Sequence, residues 1–341
     1  MPLRQLPLRQ FALLLIFGLC AALASAQSNR QDPLPSWNEG TVKSTIIKFV
    51  QQVSTEGSPY FVPAAERIAT FDNDGTLWAE QPLYFQAIFA IDQVNEKAAD
   101  HPQWRQEEPF KSAITGDIAG IMATGMEGLG KIIAASHANL TADEFRTSVR
   151  HWLASARHPQ TDTLFTDLIY QPMLELLQYL RAHDFKTFIV SGGGIDFIRV
   201  FSEDTYGIPP EQVIGTTSEA KYEVINGIPT IVKTPNIILV DDKDGKPVGI
   251  YRHIGRRPIF AAGNSDGDKQ MLEYTTLPHG SDDQTPRLGL IIHHTDAKRE
   301  WAYDRQSDIG KLDKALDESR QHNWAVVNMK KDWRQVFPKA R

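Results

Sequence analysis

Ile68-Ala69-Thr70-Phe71-Asp72-Asn73-Asp74-Gly75-Thr76-Leu77-Trp78 is the stretch from which the fold of this chain is read. Its first four residues are apolar or β-branched and predict a short strand, which stops abruptly at two aspartates, a glycine and a threonine. Side chains alternate along extended backbone, so Asp72 and Asp74 project to the same side just beyond the strand. Neighbouring carboxylates repel, and at least one must take up a proton unless a cation is shared. That arrangement points to a site. A turn in which the aspartates cap loop amides and Gly75 supplies a positive φ would use the same residues, so the weight of the motif comes from what lies up- and downstream.

Upstream, Arg4 and Arg9 precede an apolar run from Phe11 to Leu23 and then Ala24-Ser25-Ala26. This is the pattern of a secretory signal peptide, and the run is short for a membrane span. The expectation is a signal over residues 1–26 cleaved after Ala26, a periplasmic or secreted product, and no stable membrane association. Cys20, the one cysteine of the 341-residue chain, would leave with the signal, so the mature protein has neither a disulfide nor a thiol nucleophile. Residues 27–40 are polar and proline-bearing and predict a flexible leader. The net charge of −6 gives no basic footprint for a nucleic-acid partner.

In Thr41–Gln52 the apolar residues Val42, Ile46, Ile47 and Val50 recur at helical spacing. After Trp78 the rhythm changes. Glu80–Ala99, Glu108–Ile133 and Ala142–Ala156 read as helices, the last opened by Thr141-Ala142-Asp143-Glu144. Residues 79–170 therefore predict a helical cap inserted into an α/β core formed by 41–78 and 171–341. In that core Lys186–Val190, Gln212–Gly215, Ile237–Val240, Pro258–Ala262 and Arg287–His293 read as strands. Pro172–Ala182 and a segment from Ile195 read as helices, and Asn226-Gly227 marks a hairpin turn. Trp301, Tyr303 and Trp333 read as packing residues of a helical carboxyl-terminal segment. The expected fold is a three-layer, Rossmann-like parallel sheet with an all-helical insert.

Three strands thus end in polar, glycine-bearing loops: Asp72/Asp74, Ser191-Gly192-Gly193-Gly194, and Gly263-Asn264-Ser265-Asp266-Gly267-Asp268. In an open parallel sheet those carboxyl ends lie together, where ligands bind.

These three segments, in this order, resemble the haloacid dehalogenase-like hydrolase superfamily, in its phosphatase branch nearest phosphoserine phosphatase. The likeness spans about residues 66–300. His293-His294-Thr295-Asp296 is similar to a run in exported members. The resemblance implies that Asp72 attacks phosphorus to form an aspartyl-phosphate, splitting one displacement into two. Asp74 would protonate the leaving oxygen and then deprotonate the attacking water. The second aspartate argues against a dehalogenase, since dehalogenases of the superfamily typically lack it.

The resemblance further implies Mg²⁺ held by the Asp72 carboxylate, the Asp74 carbonyl and Asn264, with Asp268 of the same loop either at the metal, orienting a metal-bound water, or receiving hydrogen bonds from the loop. Asn264 stands where the family usually has aspartate, and Asp266 is a second candidate ligand. Ser191 and the Gly192 amide would hold phosphate oxygens. A cationic partner is expected between the second and third loops; Lys246 fits best, with Lys243, Arg256 and Arg257 as alternatives. Glu80 and Trp78 would line the cap side of the pocket. His293, His294 and Asp296 would form a polar rim or a second cation site, or serve structural hydrogen bonding. The expected activity is Mg²⁺-dependent hydrolysis of a small phosphorylated metabolite; phosphotransfer through the same intermediate, or a catalytically silent binding protein, are the alternatives.

Overall fold

In the computed structural model of the chain, residues 32–138 and 140–339 are described. The signal-peptide expectation and Cys20 lie outside them. Seven strands form one sheet: β1 (Ile68–Phe71), β2 (Lys186–Gly194), β3 (Val213–Ile225), β4 (Ile228–Leu239), β5 (Phe260–Gly263), β6 (Leu288–His293) and β7 (Ala325–Asn328). Their spatial order is β4-β3-β2-β1-β5-β6-β7, parallel throughout except for the antiparallel β3–β4 hairpin. All four residues of β1 are buried, as a strand covered on both faces must be. Phe71 pairs in register with Ile189 on one side and Ala262 on the other. Chain order reverses across β1, which makes its carboxyl end the switch point of the sheet.

Alternation along the strands feeds two cores. Phe71, Ile189, Phe260 and Leu290 face one layer, which includes α1 (Thr41–Ser54). There Phe49 packs 6.2 Å from Phe260, measured between ring centroids. Val190, Ile214, Ala261 and Ile291 face the opposite layer with Ile250, Met271 and Leu272.

The insert between β1 and β2 is helical: α2 (Phe85–Lys97), α3 (Phe110–Thr115), α4 (Ile118–Ala123), α5 (Gly125–His137) and α6 (Ala142–Ser155). The stretch from Glu108 to Ile133, expected as one helix, is broken because Gly116 takes a left-handed conformation (φ 70°) that ends α3. α6 begins where expected, with a reciprocal Thr141/Glu144 capping box. α2 has two apolar faces. Phe85 and Phe89 enter the main core, whereas Ala87, Ala90, Ile91 and Val94 join Trp104, Ile121, Leu129 and Ile132 in a core of the insert itself.

Two expectations need correction. Residues 32–40 of the supposed flexible leader are docked: Leu34 and Trp37 are buried, the Trp37 indole donates to the Pro172 carbonyl at 3.0 Å, and its ring meets Trp333 edge-on. The carboxyl-terminal segment is not simply helical, because Ala325–Asn328 adds β7 to the sheet beside β6. Among the described residues no helix is long and apolar enough to cross a membrane.

Candidate active site

Beyond β1 the Asp72 amide still donates to the Ala262 carbonyl at 2.9 Å, so the aspartate is held in the ladder. The chain then turns over the Asn73 carbonyl, which accepts the amides of Thr76, Leu77 and Trp78. Gly75 has φ 72°, and a Cβ there would lie 2.1 Å from Asn264 Nδ2. Both the backbone conformation and the close approach require glycine. Trp78, expected to line the cap side of the pocket, is buried: it stacks on Phe201, contacts Phe85 edge-on, and its indole donates to Asp74 Oδ1 at 2.8 Å.

Lys246 is the cation of the site. It lies at the start of α7 (Gly245–His253), buried, with Nζ 2.6 Å from Asp72 Oδ1, 2.8 Å from Asp268 Oδ1 and 2.7 Å from the Val190 carbonyl. One ammonium therefore joins the ends of β1, β2 and β5. Lys243 and Arg256 are exposed, and Arg257 donates to the carbonyls of Tyr274 and Leu277.

At the end of β2, Ser191 is buried and its Oγ accepts from the Gly193 amide at 3.1 Å, while Gly192 faces solvent. Sequence reasoning missed Gln86. This side chain reaches down from α2 to accept the Gly194 amide at 2.6 Å, tying the insert to the loop. Nothing in its sequence neighbourhood distinguishes it from an ordinary polar residue of a helix.

The third loop separates the roles of its residues. Asp268 Oδ2 accepts the amides of Asn264 (2.9 Å) and Ser265 (3.0 Å) while Oδ1 faces Lys246. Asp268 thus receives the hydrogen bonds of its own loop and faces the Lys246 ammonium. Asp266 accepts the amides of Asp313 and Ala315 at 3.0 Å each and is turned away from the site, so it is no substitute for Asn264. Asn264 is buried, with Oδ1 accepting from the Thr76 hydroxyl at 3.1 Å and Nδ2 donating to Glu80 Oε1 at 2.6 Å.

Glu80, expected on the cap side of the pocket, is buried behind Asn264 and also accepts from the Tyr303 hydroxyl at 2.8 Å. Tyr303 stacks on His294. His294 Nε2 contacts the Gly75 carbonyl at 2.8 Å and Nδ1 contacts Glu300 at 3.1 Å. His293 pairs with Asp304, and Asp296 pairs with Arg299. Within the His-His-Thr-Asp run, His294 therefore braces the turn at Gly75, while His293 and Asp296 are held by side chains of the segment that follows.

Electrostatics follow from this packing. Burial pushes Asp72 well above the usual carboxylate range, Asp268 adds to the shift, and Lys246 opposes it. Burial raises Asp74 as well, against the pull of the Trp78 indole, and lifts Glu80 to about 8. Burial would discharge Lys246, but Asp268 and Asp72 hold it protonated. One lysine is shared between two carboxylates while Asp74 and Glu80 stand close by. Such an excess of buried anionic oxygen, with no sulfur or imidazole among the expected donors, fits a hard divalent cation.

A sequence profile of the haloacid dehalogenase-like hydrolase family matches residues 69–273, more than half the chain. No curated protein matches the sequence. Among solved structures, a protein of unknown function from Bordetella pertussis Tohama I is 13% identical, with 77% of this chain and 99% of that one covered and a TM-score of 0.47. A functionally unknown protein from Anaerococcus prevotii DSM 20548 is 14% identical, with 87% and 94% covered and a TM-score of 0.48. A probable phosphoserine phosphatase from Vibrio cholerae is 15% identical, with 80% and 71% covered and a TM-score of 0.37. The profile match coincides with the three loops that Lys246 draws together, and the chain belongs to the haloacid dehalogenase-like hydrolase family.

Proposed function

We propose that the protein is a phosphatase that hydrolyses small phosphate monoesters through a phosphorylated Asp72. The observation that carries this reading is Lys246, whose Nζ contacts Asp72, Asp268 and the Val190 carbonyl together. It brings a cation, a carboxylate nucleophile and the Ser191–Gly192 corner to one rim. Asp72 would attack phosphorus as the bond to the ester oxygen breaks, and Asp74 would give its proton to the departing alkoxide. Asp74 would next take a proton from water, whose oxygen displaces the carboxylate of Asp72 and releases inorganic phosphate. Burial of Asp74 favours the protonated start this requires. Asp72, the Asp74 carbonyl and Asn264 would hold Mg²⁺, which when bound offsets the charge of the phosphate and polarises its oxygens. The amino-terminal pattern of Arg4, Arg9, an apolar run and Ala24-Ser25-Ala26 supports export as part of the same reading.

The alcohol side of the substrate is read from a cavity of about 570 Å³ between the insert and the loop at Asp308–Ile309. Tyr84, Ala119, Met122 and Leu129 line it, and Asp308 is its one ionisable side chain apart from the Tyr84 phenol. Tyr84 is also near the reacting carboxylates: burial, Glu80 and Asp74 hold its phenol well above its ordinary range. An apolar cavity with a single carboxylate disfavours an anionic alcohol, because nothing in its lining offsets the cost of desolvating a second carboxylate. Esters of apolar or amine-bearing alcohols fit it better than phosphoserine. The test is phosphate release from a panel of aryl, alkyl, amino-alcohol, sugar and amino-acid phosphates, with Mg²⁺ and with chelator. Release from none of them by wild type, or equal release by the Asp72→Asn variant, sinks the proposal.

A further inference from the structure

Asn264 is fixed at both ends of its side chain. Thr76 donates to Oδ1 at 3.1 Å, and Nδ2 donates to Glu80 Oε1 at 2.6 Å. The same Glu80 oxygen accepts from Tyr303 at 2.8 Å. Two glycines make room for the contact. A Cβ on Gly75 would fall 2.4 Å from Glu80 Oε1, and one on Gly310 would fall 1.9 Å from it. An aspartate in place of Asn264 would lose the Nδ2 donor and set a second carboxyl group against that of Glu80.

We infer that Glu80 is a positioning residue for Asn264: by accepting from Nδ2 it fixes which end of the amide is the metal-facing oxygen. Glu80 takes the amide's two-donor end, which leaves Oδ1 as the end available to a cation. Tyr303 holds Glu80 in place, so the segment beyond β6 helps to build the centre. This inference rests on the metal-dependent reading above, and it assigns Glu80 no contact with substrate.

The pairing predicts an exchange of donor and acceptor. Asn264→Asp alone removes the Nδ2 donor and sets two carboxyl groups against each other. Glu80→Gln alone offers Asn264 a donor as well as an acceptor, so the two ends of its amide are no longer told apart. Made together, they face a side-chain amide at position 80 with a carboxylate at position 264, restoring one donor opposite one acceptor. The experiment measures Mg²⁺ binding by calorimetry on the full chain for wild type, both single variants and the double variant. Each single change is expected to weaken Mg²⁺ about tenfold or more, as changes to partners of metal ligands do. The double variant is expected to return to within about threefold of wild type.

Two further readouts separate positioning from mere support. At saturating Mg²⁺ the KM for an aryl phosphate should stay unchanged in Glu80→Gln while the half-saturating Mg²⁺ concentration rises. In chelator, the melting temperature lost in Asn264→Asp should be regained when Glu80→Gln is added. Single variants that bind Mg²⁺ as wild type does, losses that simply add in the double variant, or a raised KM in Glu80→Gln would each overturn the inference while leaving the phosphatase reading intact. Wild-type protein that takes up no Mg²⁺ would overturn the metal reading, and the inference with it.

Discussion

The Lys246 ammonium stands 2.6 Å from the Asp72 carboxylate although 174 positions separate them in the chain. This contact sets the charge balance of the site, because the same ammonium also faces Asp268. Replacing Lys246 by Met leaves two buried carboxylates without a counter-ion. A loss of about 3–5 kcal/mol of stability is expected if both stay ionised, and less where they protonate. Phosphate release should fall by about 10²-fold or more. Asp72→Asn should remove about 10⁴-fold or more, as loss of a nucleophile does. Denaturant titration checks the stability figure and steady-state assays of the two variants check the two rate figures; a Lys246→Met variant with wild-type turnover contradicts the rate loss expected of it.

Trp78 acts on Asp74 through one hydrogen bond of 2.8 Å. That bond favours the ionised carboxylate and so opposes the upward push of burial. In Trp78→Phe the Asp74 carboxyl should hold its proton to higher pH. The limb of the pH–rate profile governed by Asp74 is expected to move upward. A profile that coincides with wild type would show that the indole serves only packing against Phe201.

His137 closes α5, buried beside Ser218 and Lys233. Burial, helped by the Lys233 charge, brings its folded pKa down to about 4, against roughly 6.5 in an unfolded chain. Between these values the unfolded state binds more protons, so stability rises with pH across that window. The contribution is complete above about pH 6.5 and is lost as pH falls toward 4, on the order of 3 kcal/mol at most. Melting curves from pH 4 to 7 should be flatter for His137→Gln than for wild type. Parallel curves would refute the assignment.

Met122 lines the apolar cavity beside Tyr84. A positive charge there should invert selectivity. Met122→Lys is expected to raise KM for aryl phosphates and lower it for phosphoserine, by about tenfold between the two. Unchanged selectivity would place the alcohol elsewhere.

Trp37 is fully buried, with its indole on the Pro172 carbonyl. Trp37→Ala should cost about 3–5 kcal/mol, a scale set by the cavity left in place of a large ring. A chain beginning at Thr41 should melt well below the full chain. Equal melting temperatures would mean that residues 32–40 add nothing to the fold.

The strand that leads to Asp72, the three glycine-bearing loops and the capped start of α6 were legible because each depends on local rules. A buried parallel strand must be continuously apolar, a sharp turn at positive φ asks for glycine, and Thr141 with Glu144 satisfies the amides of a helix start. Sequence alone therefore determined that this is an α/β chain with a helical insert and a carboxylate pair at a strand end. Sequence placed Lys246 ahead of Lys243, Arg256 and Arg257, but it is burial against Asp72 and Asp268 that sets Lys246 apart from them.

Tertiary structure alone decided the remainder. Gln86 reaching Gly194, Glu80 gripping Asn264, His294 bracing Gly75 and Trp37 docking on Trp333 are contacts between segments far apart in the chain. Asp266 and Asp268 are two positions apart, yet one accepts amides of a distant turn while the other binds Lys246 and its own loop. Residue type sets what a carboxylate is able to accept. Which donor it meets depends on how the whole sheet brings remote segments together, and that information is not carried by the residues on either side of it.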